Sequence, residues 1–303
     1  MNNVYLRSKE DLKVIMLKII LALCPLLIYG FYKNGIKLFI NDYVGVYGLF
    51  KPLMLDLLGL CIGIIVNIIY EVMINKKMKI KEAAFSSFHP LYGLLIASIL
   101  SINTRLWIFI IITFICLMIS KFIKKYNINI MALTSLLIIF INKYIYGFTF
   151  LNIYERNNTL HLDTLDYLIG RGSGGINTTC TLLLIISLLI LFSIKAYKKE
   201  IPIYSGIIYS VCIIGYCIIN NQIGEILDNI FANGILFSFI FIGTDSISSS
   251  YTKTGKIIYS MLIGISTFGL FLIYPPLSAI GGILLASICH RVIDKLVLKK
   301  YIN

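Results

Sequence analysis

The stretch "FIFIGTDSISSSYTKTGK", Phe239–Lys256, carries an apolar run into Thr244-Asp245, and six Ser and Thr residues then fall within the next nine positions. Such a run ends either because a membrane ends there or because the segment holds something polar. The rest of the chain decides what kind of run this is. Hydrophobic residues make up 58% of the 303 positions and charged residues 14%, with a mean hydropathy of +0.89. Soluble domains carry about 25% charged residues. Apolar stretches near the ~20 residues that cross a hydrocarbon core recur along the whole length. Open strands in lipid leave backbone groups unpaired, so these spans are expected to be helices. The fold class is therefore an all-α polytopic membrane protein. The first apolar segment follows a polar stretch and lacks a small-residue cleavage site, so it reads as a retained helix.

Ten spans are expected, at about 14–32, 53–74, 87–102, 105–121, 129–149, 178–194, 201–219, 231–247, 257–274 and 277–296. With the N-terminus inside, 20 of the 27 Lys and Arg residues fall on the inner side and 7 on the outer. The positive-inside rule requires such a bias, and an odd number of spans would spoil it, so N-in/C-in is expected. The net charge of +13 then reflects topology. Nucleic-acid binding is not called for, because the basic residues are spread over every inner loop. The chain reads as one integral membrane domain over 1–303: a first half at about 14–149, an outer loop at about 150–177, and a second half at about 178–296. Five spans per half is an odd number, so the halves enter the membrane in opposite directions, as in inverted-repeat folds.

The seven cysteines form no CxxC pair, and the three histidines share no i, i+3 or i+4 spacing. Disulfide, metal-centre and haem chemistry are disfavoured, and neither a P-loop nor a hydrolytic triad is evident. No catalytic or metal-binding residue is assigned. Three polar clusters interrupt the apolar text: "NINIMALTS" at 127–135, "GRGSGGINTTC" at 170–180, and the stretch at 239–256. The second is a glycine-rich turn leading into a helix, which suits either a phosphate cradle or a capped flexible loop. Intramembrane carboxylates are few, at Asp56, Glu71 and Asp245, which argues against a complete ion pathway within this chain.

In order and spacing these clusters resemble the RnfD/NqrB family, the membrane subunits of Rnf electron-transport complexes and of sodium-pumping NADH:quinone reductase. The family pattern FMATDxVTSPxTxxGxxIYG aligns without a gap on "FIGTDSISSSYTKTGKIIYS", keeping Thr244, Asp245, Ser249, Thr252 and Gly255. Two family prolines, the first at the position written x after the Asp, become Ser246 and Ser250. The pattern SGCIGETS resembles "SGGINTTC" with one residue missing: Ser173, Gly174, Ile176 and Thr178 match, and Asn177 stands where the glutamate would be. "KAYKKEIPI" resembles K-x-x-x-WRIP, "NINIMAL" resembles NIFNPAL, and "RVID" stands where the family has PLID. The resemblance covers roughly 15–296.

The resemblance implies ten N-in helices in inverted halves, and it implies flavin: FMN, attached through its phosphate to an outer-side threonine, with riboflavin as a second candidate. Thr159 is the nearby threonine, although the flanking residues of the family's SGATPL-like motif are missing. Ser173, Asn177, Thr178, Thr244 and Asp245 are the other cofactor-binding candidates. The implied partners are the remaining membrane subunits of an Rnf/Nqr-like complex in a bacterial cell membrane, and the implied role is electron relay through bound flavin, the protein groups tuning its potential. Two alternatives stay open: an inverted-repeat transporter or channel lined by Thr244 and Asp245, and a structural subunit that has lost its flavin.

Overall fold

The computed structural model describes residues 11–74, 76, 79–122, 128–147, 164–172 and 174–302. Thr159, Ser173 and Asn127 lie outside the described residues. Among the described residues there are helices and irregular backbone but no strand. Five helices are long and apolar enough to cross a membrane: α1 (Leu12–Ile40), α2 (Val46–Ile74), α7 (Glu200–Ile219), α9 (Lys253–Phe271) and α10, whose span is Pro275–Lys299. Four shorter apolar helices are α3 (His89–Ile99), α4 (Leu106–Phe122), α5 (Ile130–Tyr146) and α6 (Thr181–Phe192). A bent pair, Ile223–Phe231 and α8 (Ile235–Ile242), turns by 44° at its break. The chain is a multi-pass membrane protein.

The apolar runs at 87–102 and 178–194 are longer than the helices that form in them. α3 has 11 residues, a rise of about 16 Å, or half of a hydrocarbon core. It stops because Leu100 turns to extended backbone, yet Leu100 and Ile102 stay buried at 0% and 8% exposure. Hydropathy therefore continues where the helix does not. The same holds before α6, where buried Asn177–Cys180 run into Thr181 without helical structure.

Irregular backbone at membrane depth needs internal partners, and here it has them. The amides of Ile176 and Asn177 donate to the carbonyls of Leu100 (2.9 Å) and Ser98 (3.0 Å), so the glycine-rich turn covers the C-terminal end of α3. A Cβ on Gly175 would collide with the Ile99 carbonyl, so the second glycine of the "GG" pair is what permits this approach.

A close backbone seam lies between α2 and α3. A Cβ on Gly93 would collide with the Gly59 carbonyl, and one on Gly59 with the Gly93 carbonyl. Small residues let helix backbones approach where lipid supplies no hydrophobic drive. Gly93→Val is expected to lower stability by about 1–3 kcal/mol through overpacking. A fall in the thermal midpoint of the detergent-solubilised protein checks this; the same change at Gly269, where a Cβ meets nothing within 4 Å, is the control.

Candidate functional site

The Thr244-Asp245 segment lies at the lysine-rich end of the bundle. α8 ends in a π-turn, Ser238–Ile242, a local distortion common at functional positions. Beyond it, Thr244 returns its hydroxyl to the Ile240 carbonyl (2.7 Å), and the Tyr197 hydroxyl donates to the same oxygen (2.9 Å). Asp245 accepts from the Tyr92 hydroxyl on α3 (2.6 Å), from the Ser248 hydroxyl (2.7 Å) and from the Ser248 amide (3.1 Å).

The hydroxyls that follow latch the turn in place. Buried Lys198 donates to the Ser249 hydroxyl (2.6 Å), the Ser249 carbonyl (2.9 Å) and the Ser246 carbonyl (3.4 Å), and its ammonium lies 4.3 Å from the centre of the Tyr251 ring. Asp294 on α10 accepts from the hydroxyls of Ser250 and Thr252, the latter at 3.1 Å, and from the Tyr251 amide at 3.3 Å. Thr252 then caps α9 by accepting from the Gly255 amide (3.0 Å). On the other side, Asn129 caps α5 and donates to the Ile242 carbonyl (2.8 Å). The "TDSISSSYT" segment and the "RVID" segment are thus one unit. Ser250, standing where the family pattern has proline, gains a hydrogen bond to Asp294 in place of the ring.

Burial draws the pKa of Lys198 down to about 8, and the Asp245 carboxylate pulls in the opposite direction. A lysine whose folded pKa lies below its unfolded value of about 10.4 binds fewer protons when folded, so stability rises with pH between about 8 and 10. The rise is expected to reach about 3 kcal/mol. Lys198→Met should remove that share, which a comparison of thermal midpoints across this range reads out; parallel curves for the two proteins would contradict it.

Tyr92 and Asp245 stand between two cavities. On one side is an apolar slot of about 190 Å³, walled by residues such as Leu91, Leu95, Leu191 and Phe241, with Tyr197 and Thr244 among its polar groups and Ala196 also lining it. On the other is a chamber of about 500 Å³ lined by Glu71, Ser86, Ser87, His89, Ser120 and Lys121, among others.

Asn177 and Thr178 occupy the opposite end. Asn177 donates through Nδ2 to both oxygens of buried Asp56 (3.0 Å each) and to the Ser98 hydroxyl (3.1 Å). Thr178 is 1% exposed and donates to the Gly175 carbonyl (3.3 Å). A π-turn in α1, Tyr32–Ile36, presents Lys33 to the Gly172 carbonyl (2.7 Å) and the Thr179 hydroxyl (3.1 Å), and Asn34 to the Ile176 carbonyl (2.8 Å). The structure therefore separates the candidates. Thr244 and Asp245 adjoin a cavity, whereas Asn177 and Thr178 sit in a closed hydrogen-bonded junction. The amides of Ile176 and Asn177, which a phosphate cradle would use, are committed to α3.

Sequence reasoning missed Tyr92, Tyr197, Lys198 and Lys33. Lys33 falls just past the expected first span and shares its stretch with Lys37, and nothing in "KAYKKE" distinguishes Lys198 from its neighbours.

The chain is similar to the NqrB subunits of three Na(+)-translocating NADH-quinone reductases: those of Stutzerimonas stutzeri (28% identity over 150 residues), Ectopseudomonas mendocina (30% over 150) and Azotobacter vinelandii (28% over 152). Each match takes in 46% of this chain, and the chain covers 36% of each relative's length. The profile of the NQR2, RnfD, RnfE family matches residues 1–303. A match over the whole length places this chain in the NQR2, RnfD, RnfE family.

Proposed function

We propose that the chain is a membrane subunit of an Nqr/Rnf-type ion-translocating electron-transport complex in a bacterial cell membrane, and that it relays electrons through flavin. The observation that carries the flavin is the slot beside Thr244 and Asp245. Its walls are apolar and aromatic, which suits a flat ring system, and its polar groups cluster along one side. Tyr197 and Thr244 spend their protons on the Ile240 carbonyl. Their oxygens, with the Asp245 carboxylate, are left as acceptors for a ring N–H. A flavin bound there supplies one- and two-electron transfer, while the chain's residues orient it, exclude water and set the local charge. A transporter or channel would want polar groups along a path, and the slot's walls are mostly apolar. The slot's volume of about 190 Å³ suits the flat ring system of FMN or riboflavin held without a covalent link, and the ribityl chain would leave through the slot's open side. Thr159 remains the proposed anchor for a phosphoester-linked FMN on the outer side.

The helix packing supports ten spans in two inverted halves. The pairs α2–α3, α2–α4, α3–α5 and α4–α5 recur as α7–α8, α7–α9, α8–α10 and α9–α10. The pairs α1–α6, α3–α8 and α5–α10 join equivalent helices of the two halves. A pseudo-twofold axis in the membrane plane generates this pattern. The contact between α1 and α2 has no counterpart of similar extent between α6 and α7. With the N-terminus inside, the Thr244-Asp245 end faces the cytoplasm and the Asn177 end faces outward.

The covalent attachment is tested by denaturing electrophoresis under ultraviolet light, with the flavin-transferring enzyme coexpressed. A fluorescent band that vanishes in Thr159→Ala is expected, and a dark wild-type band would overturn the attachment.

A further inference from the structure

We propose that the Tyr92–Asp245 pair is a proton relay between the polar chamber and the slot, a role that rests on the slot's being the flavin site. The two residues are the hydrogen-bonded wall that both cavities share. On the chamber side the polar groups form a chain. The two ring nitrogens of His89 bond the hydroxyls of Ser87 (2.8 Å) and Ser120 (2.9 Å), Lys121 donates to Ser87 (3.0 Å), and Glu71 lies 3.6 Å from Lys121. The His89 ring also packs on Tyr92, with centroids 5.6 Å apart. Ser86 Oγ, buried and without a partner among the described residues, lines the same chamber. A volume of about 500 Å³ with this many polar groups has room for hydrogen-bonded water, which needs 2–4 polar partners at each site. The slot, by contrast, has few polar groups, and Asp245 is a carboxylate on its boundary.

Adding electrons to a flavin in an apolar slot builds negative charge there, and a proton relieves it. The exchange balances at Asp245. One proton would enter its carboxylate from the chamber, with Tyr92 and Ser248 holding the two oxygens in place, and one proton would leave it for a ring nitrogen of a bound, reduced flavin. Asp245 ends as the carboxylate it began as. No electron passes through the pair; electrons come from the reductant. The charged and titratable groups facing Asp245 are Tyr92 on α3, Tyr259 on α9, Tyr251 at the latched turn and Lys198 before α7, with Asp294 of α10 beside the last two. Lys198 and Asp294 are both engaged with the turn itself. His89, Glu71 and Lys121 line the chamber, which leaves His89 and its serines as the polar approach from that side.

The experiment reduces the purified, flavin-bearing chain with dithionite in a stopped-flow instrument, with a pH-indicator dye present and rates normalised to bound flavin. In the wild type, proton uptake is expected to keep pace with flavin bleaching. In Asp245→Asn and Tyr92→Phe it should lag, by on the order of 100-fold for the carboxylate variant. Ser86→Trp, which fills the chamber and leaves the slot untouched, should lag with its flavin content unchanged. Uptake at the wild-type rate in all three would overturn the relay. A chain that binds no flavin overturns the slot assignment instead, and a second measurement then decides the relay. In the flavin-free protein at acid pH, the infrared carboxyl band that disappears in Asp245→Asn should exchange with deuterium more slowly in Ser86→Trp than in the wild type. Equal exchange would overturn the path.

Discussion

Asn177→Leu should cost about 3 kcal/mol of stability, and a second change at Asp56 should recover most of it. Both Asp56 oxygens accept from the Asn177 amide, and Asp56 is 8% exposed. Leucine cannot donate, so a buried carboxylate loses its donor, and removing one partner of a buried charged group typically costs about 3–5 kcal/mol. The lower end applies here because the lost partner is a neutral amide. The Ser98 hydroxyl loses a donor as well. In Asp56→Leu with Asn177→Leu the orphan is gone, and an apolar pair of similar volume is close to neutral. Thermal midpoints of the two single variants and the double variant, measured in detergent, form the cycle. If Asn177→Leu costs the same with leucine at position 56 as with aspartate, the junction is not held by this pair.

Asp294→Ala should open the turn between α8 and α9. Four donors lose their acceptor at once, the hydroxyls of Ser250 and Thr252 and the amides of Tyr251 and Thr252. A hydrogen bond to a charged group contributes about 1.5–3 kcal/mol, and bonds sharing one carboxylate do not add fully. A local opening made easier by about 2–3 kcal/mol exposes the turn roughly 30- to 150-fold more often. Lys253 directly follows the turn, so trypsin cleavage after Lys253 reads the opening as a rate. An unchanged cleavage rate would show that Lys198 and Thr252 hold the turn without Asp294.

What could be read from the sequence followed from how local each signal is. Helical, apolar, multi-pass architecture rests on composition and run length, and both are local. Thr244, Asp245 and the serines after them stood out because hydroxyls crowded at the end of an apolar run are unusual. The structure gives each of several a partner: Ser248 on Asp245, Ser249 on Lys198, Ser250 and Thr252 on Asp294. The half-length α3 was not legible, since Leu100 and Ile102 keep the text apolar after the helix has stopped. Nor was the union of Asn177 with Asp56, a pairing across 121 positions that leaves no periodic trace. Tyr92 looked like one more aromatic in a membrane helix until the fold set it against Asp245, 153 positions away.

The central claim is that the slot beside Asp245 holds flavin, and flavin content in a slot-filling variant tests it most directly. Ala196 lines the slot and is exposed, so Ala196→Trp can occupy the cavity without disturbing the buried core. After purification in mild detergent with riboflavin and FMN supplied, the acid-released flavin is quantified per chain. The expected result is about one releasable flavin in the wild type, the stoichiometry of a single site, with most of it lost in Ala196→Trp at an unchanged thermal midpoint. No releasable flavin in the wild type, or full retention in the variant, would contradict the claim.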